Sequence, residues 1–180
     1  MRTIDLAWGK KVSPRFVQIV VDICKGFGWE GEQASDLMSC MAFESARSFR
    51  PDIRNGAGSG ATGLIQFMPS TARGMGTTTD SLALLSAEDQ LSIYVRQYFK
   101  PFAKRTHNLA DLYMAILLPA YVGAADTEVL FTRGTVAYRQ NAGLDANSDG
   151  RITKGEAAAR VMALRLEGFK AENVLTGVPF

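Results

Sequence analysis

A chain of 180 residues, 47% hydrophobic and with only six prolines, buries a core without staples and is read as a single domain spanning 1–180. The net charge of +2 and pI near 8.6 favour approach to an anionic surface, but no basic run or interleaved aromatic patch marks a nucleic-acid binder. His107 is the single histidine and Cys24 and Cys40 the two cysteines, too few for a His/Cys metal cluster.

Met1 to Lys11 carries Asp5 and few apolar residues, so it lacks the apolar core and small-residue cleavage site of a signal peptide. Ser13 and Pro14 read as N-cap and first helical position. Phe16, Val17, Val20, Ile23 and Cys24 form one face, and Gly26 is the expected stop. A second helix is predicted over Glu32 to Ala46. Cys24 and Cys40 thus fall on two helices; they are buried thiols, or a pair if those helices are antiparallel neighbours.

In the second helix Ala34, Leu37, Met38, Met41 and Ala42 follow the spacing of one buried face. At about 100° per residue Ser45 falls near the middle of that stripe and Glu44 at its edge, beside Leu37. Partial desolvation there raises a carboxyl pKa toward the range in which it donates a proton near neutral pH. By position alone a solvated glutamate at a helix end is the competing reading.

From Phe49 to Gly60 a proline and three glycines lie among polar residues, which is loop chemistry with room for a small β-hairpin. Gly60 and Gly63 let the backbone approach a flat ligand, or simply turn tightly. Gln66 offers an amide that both donates and accepts, and Pro69 opens a short helix. Ser86 with Asp89 caps a helix toward Phe99, and Asn108 opens another through Leu112, Tyr113, Ile116 and Leu117. The apolar run Met114 to Ala125 is too short for a bilayer and is broken by Pro119, so no transmembrane segment is expected. No run alternates like a strand for long, and the predicted class is mainly α.

Asp145 to Glu156 matches the twelve-residue EF-hand loop. Asp145, Asn147 and Asp149 stand at positions 1, 3 and 5, Gly150 at the bend, and Arg151 offers its carbonyl at 7. Thr153 stands at 9 and Glu156 at the bidentate position 12. Calcium is the expected ion, as a structural clamp rather than a sensor and with no part in bond cleavage. The alternative is a loop of this shape held by its own hydrogen bonds.

Glu44-Ser45, followed by Gly60-Ala61-Thr62-Gly63-Leu64-Ile65-Gln66-Phe67-Met68-Pro69-Ser70-Thr71-Ala72, resembles the soluble lytic transglycosylases and goose-type lysozymes. That resemblance implies a lysozyme-like fold and cleavage of the peptidoglycan bond between N-acetylmuramic acid and N-acetylglucosamine. It makes Glu44 the general acid and base and puts Ser45 and Gln66 in the substrate groove. A further family element, commonly Ala-Tyr-Asn-Ala-Gly, is read at Ala120-Tyr121-Val122-Gly123, which makes Tyr121 a sugar-contacting candidate against a core tyrosine.

Two carboxylates usually serve glycosidases. Here Asp52 is the nearest downstream candidate, whereas the resembled transglycosylases work with one glutamate and the substrate's acetamido group. The expected product is therefore an anhydro sugar, with a hydrolytic muramidase as the alternative. A monomeric phage endolysin released through a membrane pore, or a virion-associated lysin, fits a wall-degrading enzyme without an export signal. An inactive glycan-binding or virion structural protein, and a calcium-dependent interaction module, are the readings from other classes.

Overall fold

The computed structural model describes residues 2–180 and is mainly α-helical, about 53% helix, with two small two-stranded sheets. Strand β1 (Thr3–Leu6) precedes helix α1 (Pro14–Phe27). Ser13 Oγ accepts the Phe16 N–H at 3.1 Å, and Pro14 takes the first helical position, where its missing N–H is not needed. The helix runs past Gly26 and ends at Gly28, whose φ of 71° lets its N–H reach the carbonyls of Cys24 and Lys25. A helix stops where a residue turns left-handed, so Gly28 and not Gly26 is the signal.

Helix α2 (Gly31–Glu44) is the centre of the molecule, with α1, α7 (Leu109–Leu117) and α9 (Lys154–Gly168) packed around it. It is buried on more than the one face that its apolar spacing marks, because its polar residues have partners. Ser35 Oγ accepts the Ala7 N–H, Ser39 Oγ donates to the Ser35 carbonyl, and Asp36 pairs with Arg165 at 2.6 Å. Cys24 and Cys40 are both buried free thiols, and burial pushes the Cys24 thiol up to about 12.

After α3 (Pro69–Gly74) and α4 (Thr79–Ala83) comes a continuous helical stretch made of α5 (Ala87–Asp89), a π-helical turn over Gln90–Val95, and α6 (Arg96–Phe99). The π turn carries Gln90 into the core. Its Oε1 accepts the Leu64 N–H at 2.8 Å, and its Nε2 donates to the carbonyls of Pro51 and Leu82 at 3.0 Å. Gln90 thereby anchors both ends of the Pro51–Leu64 loop. Gly63, at φ 89°, is required beneath it: a Cβ there would lie 2.3 Å from Gln90 Oε1. Asn108 caps α7 through the Asp111 N–H, as the sequence predicts.

The strands are the part the sequence leaves out. β1 pairs antiparallel with β4 (Leu175–Pro179), Ile4 opposite Val178, so the two ends of the chain lie side by side. β2 (Val129–Thr132) pairs with β3 (Arg151–Thr153), Phe131 opposite Ile152, and the short helix α8 (Val136–Asn141) lies between them in sequence. No hairpin of regular strands forms between Phe49 and Gly60. Two isolated bridges, Arg54 with Thr62 and Thr62 with Phe67, pin that loop instead. Among the described residues no helix is long and apolar enough to cross a membrane.

Candidate active site

Glu44 is the last residue of α2 and is half-buried. Burial pushes its carboxyl up to about 7 with no charge or hydrogen bond as a contributing cause, and the negative end of the helix dipole works in the same direction. Immediately after it the chain reverses sharply. Ala46, Arg47 and Phe49 all sit at positive φ, between 50° and 67°, a strain that the surrounding contacts must hold.

Ser45 supplies much of that hold. Its hydroxyl donates to the Met41 carbonyl at 2.7 Å and accepts the Phe49 N–H at 3.0 Å, and the residue has no exposed surface. This corrects the groove role given to Ser45: it positions the turn behind the acid and does not face the cleft. Phe49 packs on Trp8 and Phe16, and Arg47 forks onto both Glu167 oxygens at 2.8 Å.

Glu44 opens into a cleft of about 710 Å³. Asn55 and Gln66 line it from the loop side, Met68, Ile116 and Leu117 give an apolar wall, and Gln140 and Asn141 close it from the end of α8. Gln66 sits at φ 52° and donates through Nε2 to the carbonyls of Ile53 and Gly63, both at 3.1 Å. Four amide side chains and an apolar wall around one raised carboxyl suit a ligand with hydroxyl or acetamido groups on its edges and C–H faces. A separate hollow of about 460 Å³ between α1 and β4 has Lys10 as the one charged residue of its lining and lies on other elements.

Among the described residues no second carboxylate lines the cleft. Asp52 is exposed and hydrogen-bonded to Arg50 through both oxygens, at 2.9 and 2.7 Å, and that guanidinium holds its carboxyl below the usual range. Tyr98 and Tyr113 flank the acid from behind. Burial, and then the Glu44 charge, pushes the Tyr98 hydroxyl up to about 12 and the Tyr113 hydroxyl higher still, and Tyr113 stacks edge-on against Phe43 at 5.6 Å.

Tyr121 lies in a 3-10 turn over Pro119–Tyr121, packed against the core and outside the cleft lining. The tyrosine reading there gives way to the core alternative. In its place stand Gln140 and Asn141, which the sequence reading missed. A signal existed: Ala137-Tyr138, then Asn141-Ala142-Gly143, carries all five residues of the family element with two residues inserted after the tyrosine.

Asn141 leads through a 3-10 turn, Ala142–Leu144, directly to Asp145. Asp145 Oδ2 accepts the Tyr138 hydroxyl at 2.5 Å and the Gly150 N–H at 3.0 Å, and the Tyr138 bond above all lowers its carboxyl pKa. Glu156 Oε2 accepts the Thr153 N–H and hydroxyl at 2.9 Å. The other oxygen of each, Asp145 Oδ1 and Glu156 Oε1, is buried with no partner among the described residues. Two orphaned carboxylate oxygens at positions 1 and 12 of the loop fit a hard cation that takes oxygen ligands.

Asp149 is engaged within the loop, with Oδ1 accepting the Arg151 N–H at 2.8 Å and Oδ2 accepting from Asn147. Hence no three acidic, His or Cys side chains converge among the described residues. Lys154 anchors the loop from below with its ammonium 2.5 Å from Asp111 and 2.7 Å from the Ala124 carbonyl, both side chains buried. Burial pushes the Asp111 carboxyl up, but Lys154 and the N–H groups of Gly123 and His107 outweigh it and hold it low.

No protein-family model matches this chain, and no curated protein matches it in sequence.

Proposed function

We propose that the chain has a lysozyme-like fold and cleaves peptidoglycan glycan strands at the bond between N-acetylmuramic acid and N-acetylglucosamine. The observation that carries this is the half-buried Glu44 carboxyl, pushed up to about 7 in an amide-lined cleft that has no second carboxylate among the described residues. Protonated Glu44 donates to the glycosidic oxygen as an oxocarbenium-like centre develops at the muramic acid. With no protein carboxylate across the ring, the substrate's own acetamido group stabilises that centre. Glu44, now a carboxylate, takes a proton from the C6 hydroxyl, which closes onto C1 to give an anhydro sugar.

Gln66, Asn55, Gln140 and Asn141 orient the sugars, and the Met68, Ile116 and Leu117 wall takes their apolar faces. A water entering in place of the C6 hydroxyl converts the same site into a muramidase. The cell-wall substrate gives the protein the role of a monomeric phage endolysin or a virion-associated lysin. An inactive glycan-binding or virion structural protein is disfavoured by a raised carboxyl with no structural partner.

Asp145, Asn147, Asp149, the Arg151 carbonyl, Thr153 and Glu156 would hold calcium, an EF-hand-like loop whose β3 segment pairs with β2. Bound there, the ion supplies charge neutralisation and cross-linking, and it adds nothing to bond cleavage.

The test is mass spectrometry of muropeptides released from purified peptidoglycan. Anhydro-muramic ends that resist borohydride are expected. Reducible ends carrying one water decide for hydrolysis, and no fragments at all would overturn the enzymatic reading.

A further inference from the structure

The cleft wall that carries Gln140 and Asn141 is poorly anchored by its own packing. Of residues 132–143 only Tyr138 is buried, and Val136 is 60% exposed. Helix α8 is six residues long, too short to hold itself in place in water. What locates this wall is its connection to the loop that follows. The Tyr138 hydroxyl donates to Asp145 Oδ2, the Asp145 N–H donates to the Ala142 carbonyl at 3.2 Å, and Arg160 of α9 donates to the Gly143 carbonyl at 2.5 Å. Asn141 in the cleft and Asp145 in the loop are four residues apart, joined by one 3-10 turn and fastened to the core through Leu144.

Asp145 thus faces two ways: one oxygen holds Tyr138 and the Gly150 turn, and the other is buried and unpaired. A cation on Asp145 Oδ1 and Glu156 Oε1 would tie the end of the wall to the first turn of α9, which is itself locked to α7 through Lys154 and Asp111. Without it, two buried carboxylate oxygens face the same loop unneutralised. The segment least able to hold itself then loses its fixed end.

We infer that calcium in the 145–156 loop sets the glycan affinity of the Glu44 cleft by holding the Gln140–Asn141 wall against it. This rests on the glycan-cleft and calcium readings above and adds a coupling between them. The ion acts on binding and leaves the proton chemistry at Glu44 untouched. By linkage the coupling is reciprocal, so the glycan tightens calcium binding by the same factor.

The experiment uses the full chain as Glu44→Gln, to stop turnover, with CaCl2 and a GlcNAc–MurNAc tetrasaccharide as probes in calorimetric titrations. Chelation is expected to weaken tetrasaccharide binding about five- to fiftyfold, and the tetrasaccharide to tighten CaCl2 binding by an equal factor. Hydrogen exchange of the amides over 132–143 should accelerate on chelation while that of α2 does not change. Asp145→Ala in CaCl2 should reproduce the chelated state. CaCl2 binding with an unchanged tetrasaccharide Kd overturns the coupling and leaves both parent readings standing. Absent CaCl2 binding overturns the coupling together with the calcium reading. Absent tetrasaccharide binding in both conditions overturns it together with the glycan cleft.

Discussion

Two carboxylates, Glu44 in the cleft and Asp145 in the loop that follows its Gln140–Asn141 wall, are pushed in opposite directions by their surroundings. Glu44 ends a helix buried on nearly every side and has no donor to stabilise its charge, so its carboxyl rises to about 7. Asp145 begins an exposed loop, receives a phenol and backbone N–H groups, and is held ionised. One chemical group is pushed toward its neutral form on the rigid side and toward its ionised form on the pliable side. Density of packing decides between them: the rigid side sustains three left-handed residues just behind the acid, whereas the pliable side relies on hydrogen bonds and one buried ion pair.

The sharpest way to break the contrast is to remove the proton. Glu44→Gln is expected to keep the fold and to lower lysis of permeabilised cells by about 10²–10⁴-fold, read as turbidity loss. Near-equal activity would move the chemistry off Glu44.

The same group sets a pH signature. As an acid, Glu44 must be protonated, so kcat/KM should fall as pH rises through about 7. For stability, its folded pKa lies above the ordinary carboxyl value of 4.5, so the folded state holds the proton more tightly. That stabilisation is complete below about 4.5 and is lost as pH rises to about 7. The melting temperature of the wild type, relative to Glu44→Gln, should decline across that window and be level above it. A flat difference would mean that the carboxyl titrates normally.

On the pliable side the largest expected loss comes from the buried pair. Lys154→Met leaves the Asp111 charge buried without its cation, costing about 3–5 kcal/mol in denaturant melts, and Asp111→Leu in the same chain should recover most of it. Calcium comes next. A chelator should remove about 2.7 kcal/mol if the ion had been present at a hundredfold excess over its Kd, with magnesium a poor substitute because its octahedral shell is smaller. An unchanged melting curve would leave the loop held by its own hydrogen bonds. The smallest effect belongs to the wall: Asn141→Ala should cost about 1 kcal/mol of sugar binding, roughly fivefold in KM, with kcat little changed.

What was legible in the sequence follows the same divide. Ser13, Asn108 and Ser86 read correctly as caps because a cap is settled within four residues. The buried glutamate was legible because helical spacing places it on the edge of an apolar stripe. Ser45 was misplaced because spacing gives the side on which a residue sits but not whether its hydroxyl is consumed by the turn after it. Tyr121 and Asn141 were exchanged because α8 is brought over the cleft by the β2–β3 pairing together with the loop that follows it, and that pairing spans residues too few and too irregular to alternate. The strands β1 and β4 were invisible for a related reason: each is stabilised by the other from the far end of the chain.

That last pairing bears on how the protein is made. Thr3–Leu6 is synthesised well before Leu175–Pro179, and the Lys10 N–H likewise waits for the Asn173 carbonyl. Joining ends so distant in sequence carries a high loop-closure entropy, which favours its formation late, after the helices have collapsed around α2. The helix that bears Glu44 is consequently assembled before the ring of the chain is closed. The β1–β4 pair forms only once Leu175–Pro179 has been made, and a chain cut before Leu175 lacks the partner that seats Leu6.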